Sequence, residues 1–193
     1  MKEPLRPAEK SLFKVLMRQL VALSLLGLLT ACTVSSSQWS ALQNAFRTPE
    51  DELAPYRWQV TSGSFQAQLV AVTLTDGVTL FANQDEDMII FDGWMITEMA
   101  GLGLTAEKWV IEGATGERRF SAGKWLMNKH YCEAWRLLDD KERGVQVQDC
   151  ADDNQIPYQN RINLDVEGRI IRIEQNIGLK QGGLKNTLVL EKR

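Results

Sequence analysis

Hydrophobic and polar residues alternate along short segments of the chain from residue 56 onward. The clearest case runs from Ile162 to Val166, where every second residue is apolar and its neighbours are polar or charged. Gly168 follows, and Ile171 and Ile173 then continue the same alternation. A period of two places successive side chains on opposite faces of a β-strand. The pattern therefore predicts a half-buried β-hairpin near the C-terminus.

Two Asp-Gly pairs, Asp76-Gly77 and Asp92-Gly93, separate other apolar segments. The flanking segments are 65–74 and 78–83 for the first pair, and 88–91 and 94–97 for the second. Asp-Gly favours tight hairpin turns, because both residues tolerate the left-handed backbone that such turns require. Each pair predicts a further β-hairpin.

Roughly ten short strands are predicted in this way, with turn residues between them. No long amphipathic helix stands between the segments, which disfavours a parallel sheet because its strands are joined by helices. We expect a mainly β fold, a single antiparallel barrel or sandwich-like domain over residues 38–193. Ser37 is a suitable cap for a short N-terminal helix that ends near Arg47.

The chain begins with a pattern typical of secreted proteins. Lys14 and Arg18 precede a charge-free apolar segment, 20–29, which leads into Leu29-Thr30-Ala31-Cys32. The segment is shorter than the roughly 20 residues that a membrane span needs. A basic start, a short apolar segment and small residues at a cleavage site predict a secretory signal. Met17 is an alternative start that leaves this pattern intact.

The cysteine at the end of that motif resembles the lipobox of bacterial lipoproteins. Cleavage before Cys32 would remove residues 1–31 as the signal peptide and leave Cys32 carrying acyl chains such as palmitate. Residues 32–37 are small and polar, which predicts a flexible tether between the lipid and the domain. Thr33-Val34 contains no aspartate that would retain the protein at the inner membrane. We therefore expect attachment to the outer membrane, facing the periplasm.

The charge of the mature chain excludes one class of partner. Residues 1–31 contain five basic and two acidic residues, so the mature part keeps 17 basic and 23 acidic residues, a formal charge of −6. Nucleic-acid-binding domains carry a basic patch or stripe, and this chain has no such cluster. We expect no nucleic-acid partner, and membrane attachment through the lipid alone.

Cys132 and Cys150 are the two cysteines that remain beyond the signal. Proteins of an oxidising compartment form disulfides from such pairs. A loop of this length corresponds to a stabilisation of about 3 kcal/mol. Free buried thiols are the alternative. A metal site is disfavoured, because His130 would supply only a third ligand. We predict the disulfide, no metal and no cofactor.

Catalytic motifs are scarce in the sequence. His130 is the only histidine, and no Gly-x-Ser-x-Gly motif accompanies it. A Cys132–His130 nucleophile pair conflicts with the predicted disulfide. Asp85-Glu86-Asp87 does not have the spacing of a calcium-binding loop, and Gly101-Leu102-Gly103 lacks the context of a phosphate-binding loop. We therefore predict that the protein is not an enzyme.

Tryptophans provide candidate contact residues. Trp58, Trp94 and Trp125 are distributed over the predicted strands and turns. Indole rings bind sugars and anchor protein interfaces, but they also fill the cores of β-domains. We assign these three residues as candidate glycan or partner contacts, with core packing as the alternative.

Several motifs together resemble a known family. Leu53-Ala54-Pro55-Tyr56 follows the lipobox and predicted helix, Phe91-Asp92-Gly93-Trp94-Met95-Ile96-Thr97 follows two strands, and Gly168-Arg169-Ile170-Ile171 stands in the last hairpin. The arrangement is similar to the YjbF/GfcB family of envelope lipoproteins. Trp94 occupies a position where that family usually has Arg, and Gly178 one where it tends to have Pro. The resemblance implies a β-rich outer-membrane lipoprotein, accessory to exopolysaccharide or capsule production or export, whose partners are other envelope proteins of that system.

Two other functions remain open from the sequence. The first is a lipid-anchored barrel that binds a small ligand, a glycan or a lysozyme-like enzyme. The second is a glycan hydrolase, which would need two carboxylates converging in a cleft at about 5 to 9 Å. Asp139-Asp140 and Asp152-Asp153 are the remaining acidic pairs, and both are more typical of solvated turns.

Overall fold

The computed structural model describes residues 54–74, 77–138, 144–179 and 184–193. A 3-10 turn at Ala54–Tyr56 leads into thirteen β-strands. The strands are β1 (Arg57–Ser62), β2 (Phe65–Thr73), β3 (Thr79–Ala82), β4 (Met88–Phe91), β5 (Ile96–Ala100), β6 (Trp109–Glu112), β7 (Gly116–Ala122), β8 (Trp125–Cys132), β9 (Arg136–Leu137), β10 (Val145–Ala151), β11 (Pro157–Leu164), β12 (Ile170–Asn176) and β13 (Thr187–Lys192).

Twelve of these strands form a closed antiparallel barrel. Strands β1 to β8 pair in sequence order, β8 pairs with β10, and β10 to β13 pair in order until β13 returns to β1. The short β9 adds to β10 outside the ring. The contact between β8 and β10 is short, since the two strands pair only at Tyr131 and Cys132 of β8. The predicted antiparallel β fold is confirmed, and of its two forms the structure is the barrel. The predicted helix from Ser37 lies outside the described residues.

The hairpin at Asp92-Gly93 forms, but its second strand begins later than predicted. Asp92 Oδ1 accepts hydrogen bonds from the backbone N–H groups of Trp94 (2.9 Å) and Met95 (2.8 Å). These bonds hold both residues in the turn, so β5 starts at Ile96. Aspartate side chains commonly accept such hydrogen bonds from the backbone of a turn.

The predicted C-terminal hairpin is β11 and β12, with two corrections. Ile171 was expected on the same face as Ile173, but it is 37% exposed, because the register of the two strands shifts there and Ile170 packs against the core instead.

Val166 was expected on the same face as Ile162, but it is fully exposed in the turn. Asp165 Oδ1 accepts hydrogen bonds from the N–H groups of Glu167 and Arg169, both at 2.9 Å. The turn therefore begins at Asp165, and Val166 lies beyond the end of β11.

Large apolar side chains fill much of the barrel interior. They come from strands around the ring and from the turns between them. The fully buried members include Val60, Leu69, Ile89, Ile96, Met99, Phe120, Ile162 and Leu188.

The connection from β12 to β13 also enters the interior. Residues Ile177–Leu179, here called the plug, are buried. Trp109 Nε1 donates to the carbonyl of Ile177 (2.9 Å), and Asn128 Nδ2 donates to that of Gly178 (2.6 Å). These bonds join the plug to β6 and β8. The barrel is thus filled partly by its own chain at the end where β12 finishes.

Candidate functional site

Polar side chains are buried inside the barrel alongside the apolar core. They lie on strands β7, β8, β10, β11 and β12, which form one side of the ring. The buried members of this group, here called the polar cluster, are Arg118, His130, Gln148, Asn160, Gln175 and Asn176. Such groups are costly to bury without hydrogen bonds, so their partners determine what the cluster can do.

Gln175 crosses the interior of the barrel. Its Nε2 donates to the carbonyl of Trp94 (2.7 Å), and its Oε1 accepts from the backbone N–H of Ile96 (2.9 Å). The same oxygen accepts from Arg118 Nη2 at 3.3 Å. Strand β12 is therefore tied to the start of β5 and to β7, neither of which is its neighbour in the ring. Gln175 therefore positions Arg118 and also joins strands that are not adjacent in the barrel.

Arg118 is 1% exposed, and two of its nitrogens, Nε and Nη1, have no hydrogen-bond partner. Its guanidinium carbon lies 5.6 Å from the ring centre of Phe120. Burial lowers the pKa of Arg118 to about 10, so the side chain still carries its proton at neutral pH. The result is a buried cation with two hydrogen-bond donors free among the described residues.

His130 lies beside Arg118, because the two residues are register partners on β8 and β7. His130 Nδ1 and the Tyr158 hydroxyl are 2.7 Å apart, and the imidazole packs against Phe120 with ring centres 4.4 Å apart. Burial lowers the pKa of His130 and raises that of Tyr158 to about 12. Both groups are therefore uncharged at neutral pH, and their bond is between neutral partners.

Gln148 and Asn160 form the second part of the polar cluster. Gln148 Nε2 donates to the carbonyls of Ala114 (2.6 Å) and Glu133 (2.9 Å), and its Oε1 accepts from Asn160 Nδ2 (3.0 Å). Asn160 Oδ1 in turn accepts from the N–H of Asn176 (2.8 Å). Each of these amides has partners for both its oxygen and its nitrogen. This part of the cluster is a structural network rather than an open binding site.

The disulfide joins Cys132 on β8 to Cys150 on β10, as the sequence predicted. The two residues are direct register partners, with Cα atoms 4.1 Å apart. A surface depression of about 330 Å³ lies beside it, lined partly by Glu133 and Asp149. Because its sulfur is bonded, Cys132 cannot act as a nucleophile with His130 in this state.

A cavity of about 270 Å³ opens at the end of the barrel where β1 begins and β13 ends. Trp58 is in its wall and packs edge-on against Phe81, with ring centres 5.1 Å apart. An aromatic wall with a few polar groups is typical of sites for small molecules and sugars. The lining includes Tyr56, Trp58, Phe81, Phe91, Ile173 and Lys192.

The other two tryptophans assigned from the sequence lie elsewhere. Trp94 is 47% exposed and lies against Trp135, with ring centres 6.1 Å apart. Trp125 is 69% exposed at the tip of the β7–β8 hairpin, followed by exposed Leu126 and Met127. Trp58, Trp94 and Trp125 therefore do not form one site. Trp58 belongs to the end cavity, Trp94 to a tryptophan pair and Trp125 to a hairpin tip.

The acidic turns use their carboxylates for local structure. Asp87 Oδ2 accepts from Asn83 Nδ2 (2.9 Å) and its Oδ1 accepts from the backbone N–H of Leu102. Asp152 Oδ1 accepts from the N–H groups of Asn154 (2.9 Å) and Ile156 (2.8 Å). Within the described ranges, no group of three His, Cys, Asp or Glu side chains is placed to hold a metal ion.

Comparison with known proteins leaves the family open. No family model and no curated protein matches the sequence. Among solved structures, the chain is similar to the crystal structure of the hypothetical lipoprotein YmcC from Escherichia coli K12, at 11% identity and a TM-score of 0.49. The match covers 80% of this chain and 92% of that one. A likeness of this degree assigns neither family nor function, so the resemblance to the YjbF/GfcB family stays a prediction.

The membrane-related predictions fall outside the described residues. Cys32, the signal peptide at 1–31 and the tether at 32–37 all precede residue 54. In the part of the chain that the structure describes, no helix is long and apolar enough to cross a membrane.

Arg118 and Gln175 are site residues that the sequence analysis missed. One signal for Gln175 was available, because it lies two residues after the apolar Ile173 and so falls on the same buried face of β12. Arg118 is likewise two residues before the buried Phe120. A polar residue on a core-facing position is a stronger indication of a site than an exposed one.

Proposed function

We propose that the chain is a non-catalytic outer-membrane lipoprotein that faces the periplasm and assists production or export of an exopolysaccharide or capsule. The observation that carries the anchoring is the sequence Leu29-Thr30-Ala31-Cys32 after a short apolar segment. The Cys132–Cys150 disulfide fits an oxidising compartment. The polysaccharide role rests on the motifs that resemble the YjbF/GfcB family. Other envelope proteins of such a system are the expected partners.

The anchoring is tested by fractionating cells that express the wild type and two variants. Cys32→Ser removes the lipidation site, so the protein should leave the membrane fraction for the soluble envelope fraction. Ser36→Ala, in the predicted tether, keeps the cysteine and should remain with the membranes. Retention of Cys32→Ser in the membrane fraction would contradict lipid anchoring. Separation of inner from outer membranes then tests the destination of the wild type.

The polysaccharide role is tested separately by deleting the gene. Secreted polysaccharide should fall while cytoplasmic sugar-nucleotide precursors stay at their normal level. Expression of the wild type from a plasmid should restore secretion, and expression of Cys32→Ser should restore less. Unchanged secretion in the deletion strain, under conditions that induce the polysaccharide, would reject this role without affecting the anchoring result.

The end cavity favours a second candidate function, a lipid-anchored barrel that binds a small ligand or glycan. Trp58 forms part of the aromatic wall of this cavity, whose volume is about 270 Å³. Tryptophan fluorescence can be titrated with oligosaccharides prepared from the polysaccharide of the producing cell. Binding should be lost in Trp58→Phe and retained in Trp125→Phe, which alters an exposed ring away from the cavity. A lysozyme inhibition assay tests whether the barrel binds a lysozyme-like enzyme instead of a small ligand or glycan.

A further inference from the structure

The guanidinium of Arg118 has unsatisfied donors inside the barrel. Arg118 is 1% exposed, and only Nη2 has a hydrogen bond, to Gln175 Oε1 at 3.3 Å. Nε and Nη1 are both buried and have no partner among the described residues. In folded proteins most buried polar atoms are hydrogen bonded, so an exception needs an explanation, and a bound ion is one that hydrogen-bonding chemistry allows for a buried cation.

The positive charge of Arg118 has no carboxylate at ion-pair distance among the described residues. Arg118 takes part in none of the ion pairs between described residues. The Asp92 carboxylate attracts Arg118 and raises its pKa, but it lies beyond ion-pair distance and is held in its turn by the backbone N–H groups of Trp94 and Met95. Removing a cation from water is unfavourable unless an opposite charge accompanies it.

The other polar neighbours of Arg118 are neutral. Gln175 carries no charge, and burial keeps the Tyr158 phenol protonated, with its pKa raised to about 12. Burial also lowers the pKa of His130, which leaves the imidazole uncharged at neutral pH. None of these groups can balance the guanidinium. A bound water would satisfy two N–H groups, but it would leave the charge unbalanced.

We propose that Nε and Nη1 of Arg118 bind a small monovalent anion, of the halide class, inside the barrel. A halide accepts hydrogen bonds from several N–H donors and supplies a negative charge in direct contact with the guanidinium. The size limit follows from the surroundings, since Phe120, His130 and Gln175 all pack close to the guanidinium and leave it 1% exposed. A sugar acid or a phosphate ester would need far more space. The proposal does not depend on the lipid anchor or on the polysaccharide role.

The first test measures thermal unfolding of the purified protein in sodium chloride and in sodium gluconate at equal ionic strength. Gluconate is too large for the site, so the wild type should melt at a higher temperature in chloride, with a saturable dependence on concentration. Arg118→Gln should show no difference between the two salts. Arg119→Gln is the matched control, because Arg119 is exposed and pairs with Glu112 at 3.4 Å. It should keep the wild-type response.

The same chloride effect in Arg118→Gln as in the wild type would overturn the proposal, and so would equal melting of the wild type in both salts. Should Arg118→Gln fail to fold, crystals of the wild type grown in sodium bromide decide the question. An anomalous bromide peak within hydrogen-bonding distance of Nε and Nη1, together with a saturable bromide effect on melting in solution, would support the site. Ordered water there without bromide would reject it.

Discussion

Gln175 on β12 and Arg118 on β7 are joined inside the barrel at 3.3 Å, although their strands are not neighbours in the ring. Gln175 also bonds the carbonyl of Trp94 and the N–H of Ile96. One amide therefore connects β12, β7 and the β4–β5 turn. This connection links strands across the interior of the barrel, whereas the backbone hydrogen bonds of the ring link adjacent strands only.

Replacement of Gln175 by Leu should destabilise the protein strongly. It would leave the buried N–H of Ile96, the buried Nη2 of Arg118 and the part-buried carbonyl of Trp94 without their partner. Each unsatisfied buried group costs about 1–3 kcal/mol. We expect the free energy of unfolding in urea to fall by about 3 kcal/mol or more. Gln68→Leu, on an exposed position of β2, should change it by less than about 0.5 kcal/mol. Similar losses in both variants would show that the cross-barrel bonds add little.

The plug is tested by a pair of glycine substitutions. Gly178 and Gly168 both have positive φ, +63° and +78°, so alanine is strained at either position. A Cβ at Gly178 would lie 2.8 Å from the ring of Phe120, whereas one at Gly168 would meet nothing within 4 Å. Gly178→Ala should therefore lower the melting temperature more than Gly168→Ala. Equal shifts would indicate that the plug does not pack tightly against β7.

The antiparallel β fold could be anticipated from the sequence because its hairpins are local. Asp92-Gly93 and the alternation around Gly168 specify turns and strand faces within a few residues, and the structure contains both hairpins. Ring closure could not be derived in the same way. It depends on β13 pairing with β1, which joins residues as distant as Thr61 and Val189, and on β8 pairing with β10 rather than with the next strand in sequence.

The polar cluster was harder to predict from the sequence for a related reason. Gln175 and Arg118 are 57 residues apart, and nothing in the local pattern of either shows that they meet. The tryptophans illustrate the same limit, because three similar residues occupy a cavity wall, a tryptophan pair and a hairpin tip. Local spacing assigns a residue to a face of a strand, whereas the closure of the barrel determines which faces converge.

The two tryptophans Trp58 and Trp125 should differ sharply in their effect on stability. Trp58 is 6% exposed and packs on Phe81, so Trp58→Ala should cost about 3–5 kcal/mol. Trp125 is 69% exposed, and Trp125→Ala should cost less than about 0.5 kcal/mol. Guanidinium denaturation measures both. A large loss for Trp125→Ala would mean that the hairpin tip is packed against part of the protein.

Removal of the disulfide should destabilise the domain without altering its fold. Cys132 and Cys150 are 18 residues apart, for which restriction of the unfolded chain corresponds to about 3 kcal/mol. The double variant Cys132→Ala/Cys150→Ala should lose that amount of unfolding free energy and keep the β-sheet circular dichroism spectrum. Reductant should destabilise the wild type and leave the variant unchanged. If reductant shifts both equally, the effect does not come from this bond.

The buried histidine predicts how stability changes with pH. Burial lowers the pKa of His130 below its ordinary value of 6.5, so on acidification the unfolded chain takes up a proton before the folded protein does. The stability contributed by the neutral imidazole is complete above pH 6.5 and is lost as the pH falls through 6.5 towards the lower pKa of the folded state.

The contribution of His130 to the pH dependence can be measured separately, because it is the only histidine in the chain. Asp149 and Asp165 have pKa values held below 3.8 by hydrogen bonds, so they titrate at lower pH.

The free energy of unfolding of the wild type should fall between pH 7.5 and pH 5.5. His130→Gln should be less stable at pH 7.5, because the bond to Tyr158 is altered, but it should depend less on pH over the same range. A flat profile for the wild type would show that the folded protein accommodates the imidazolium, contrary to the burial of this side chain against Phe120.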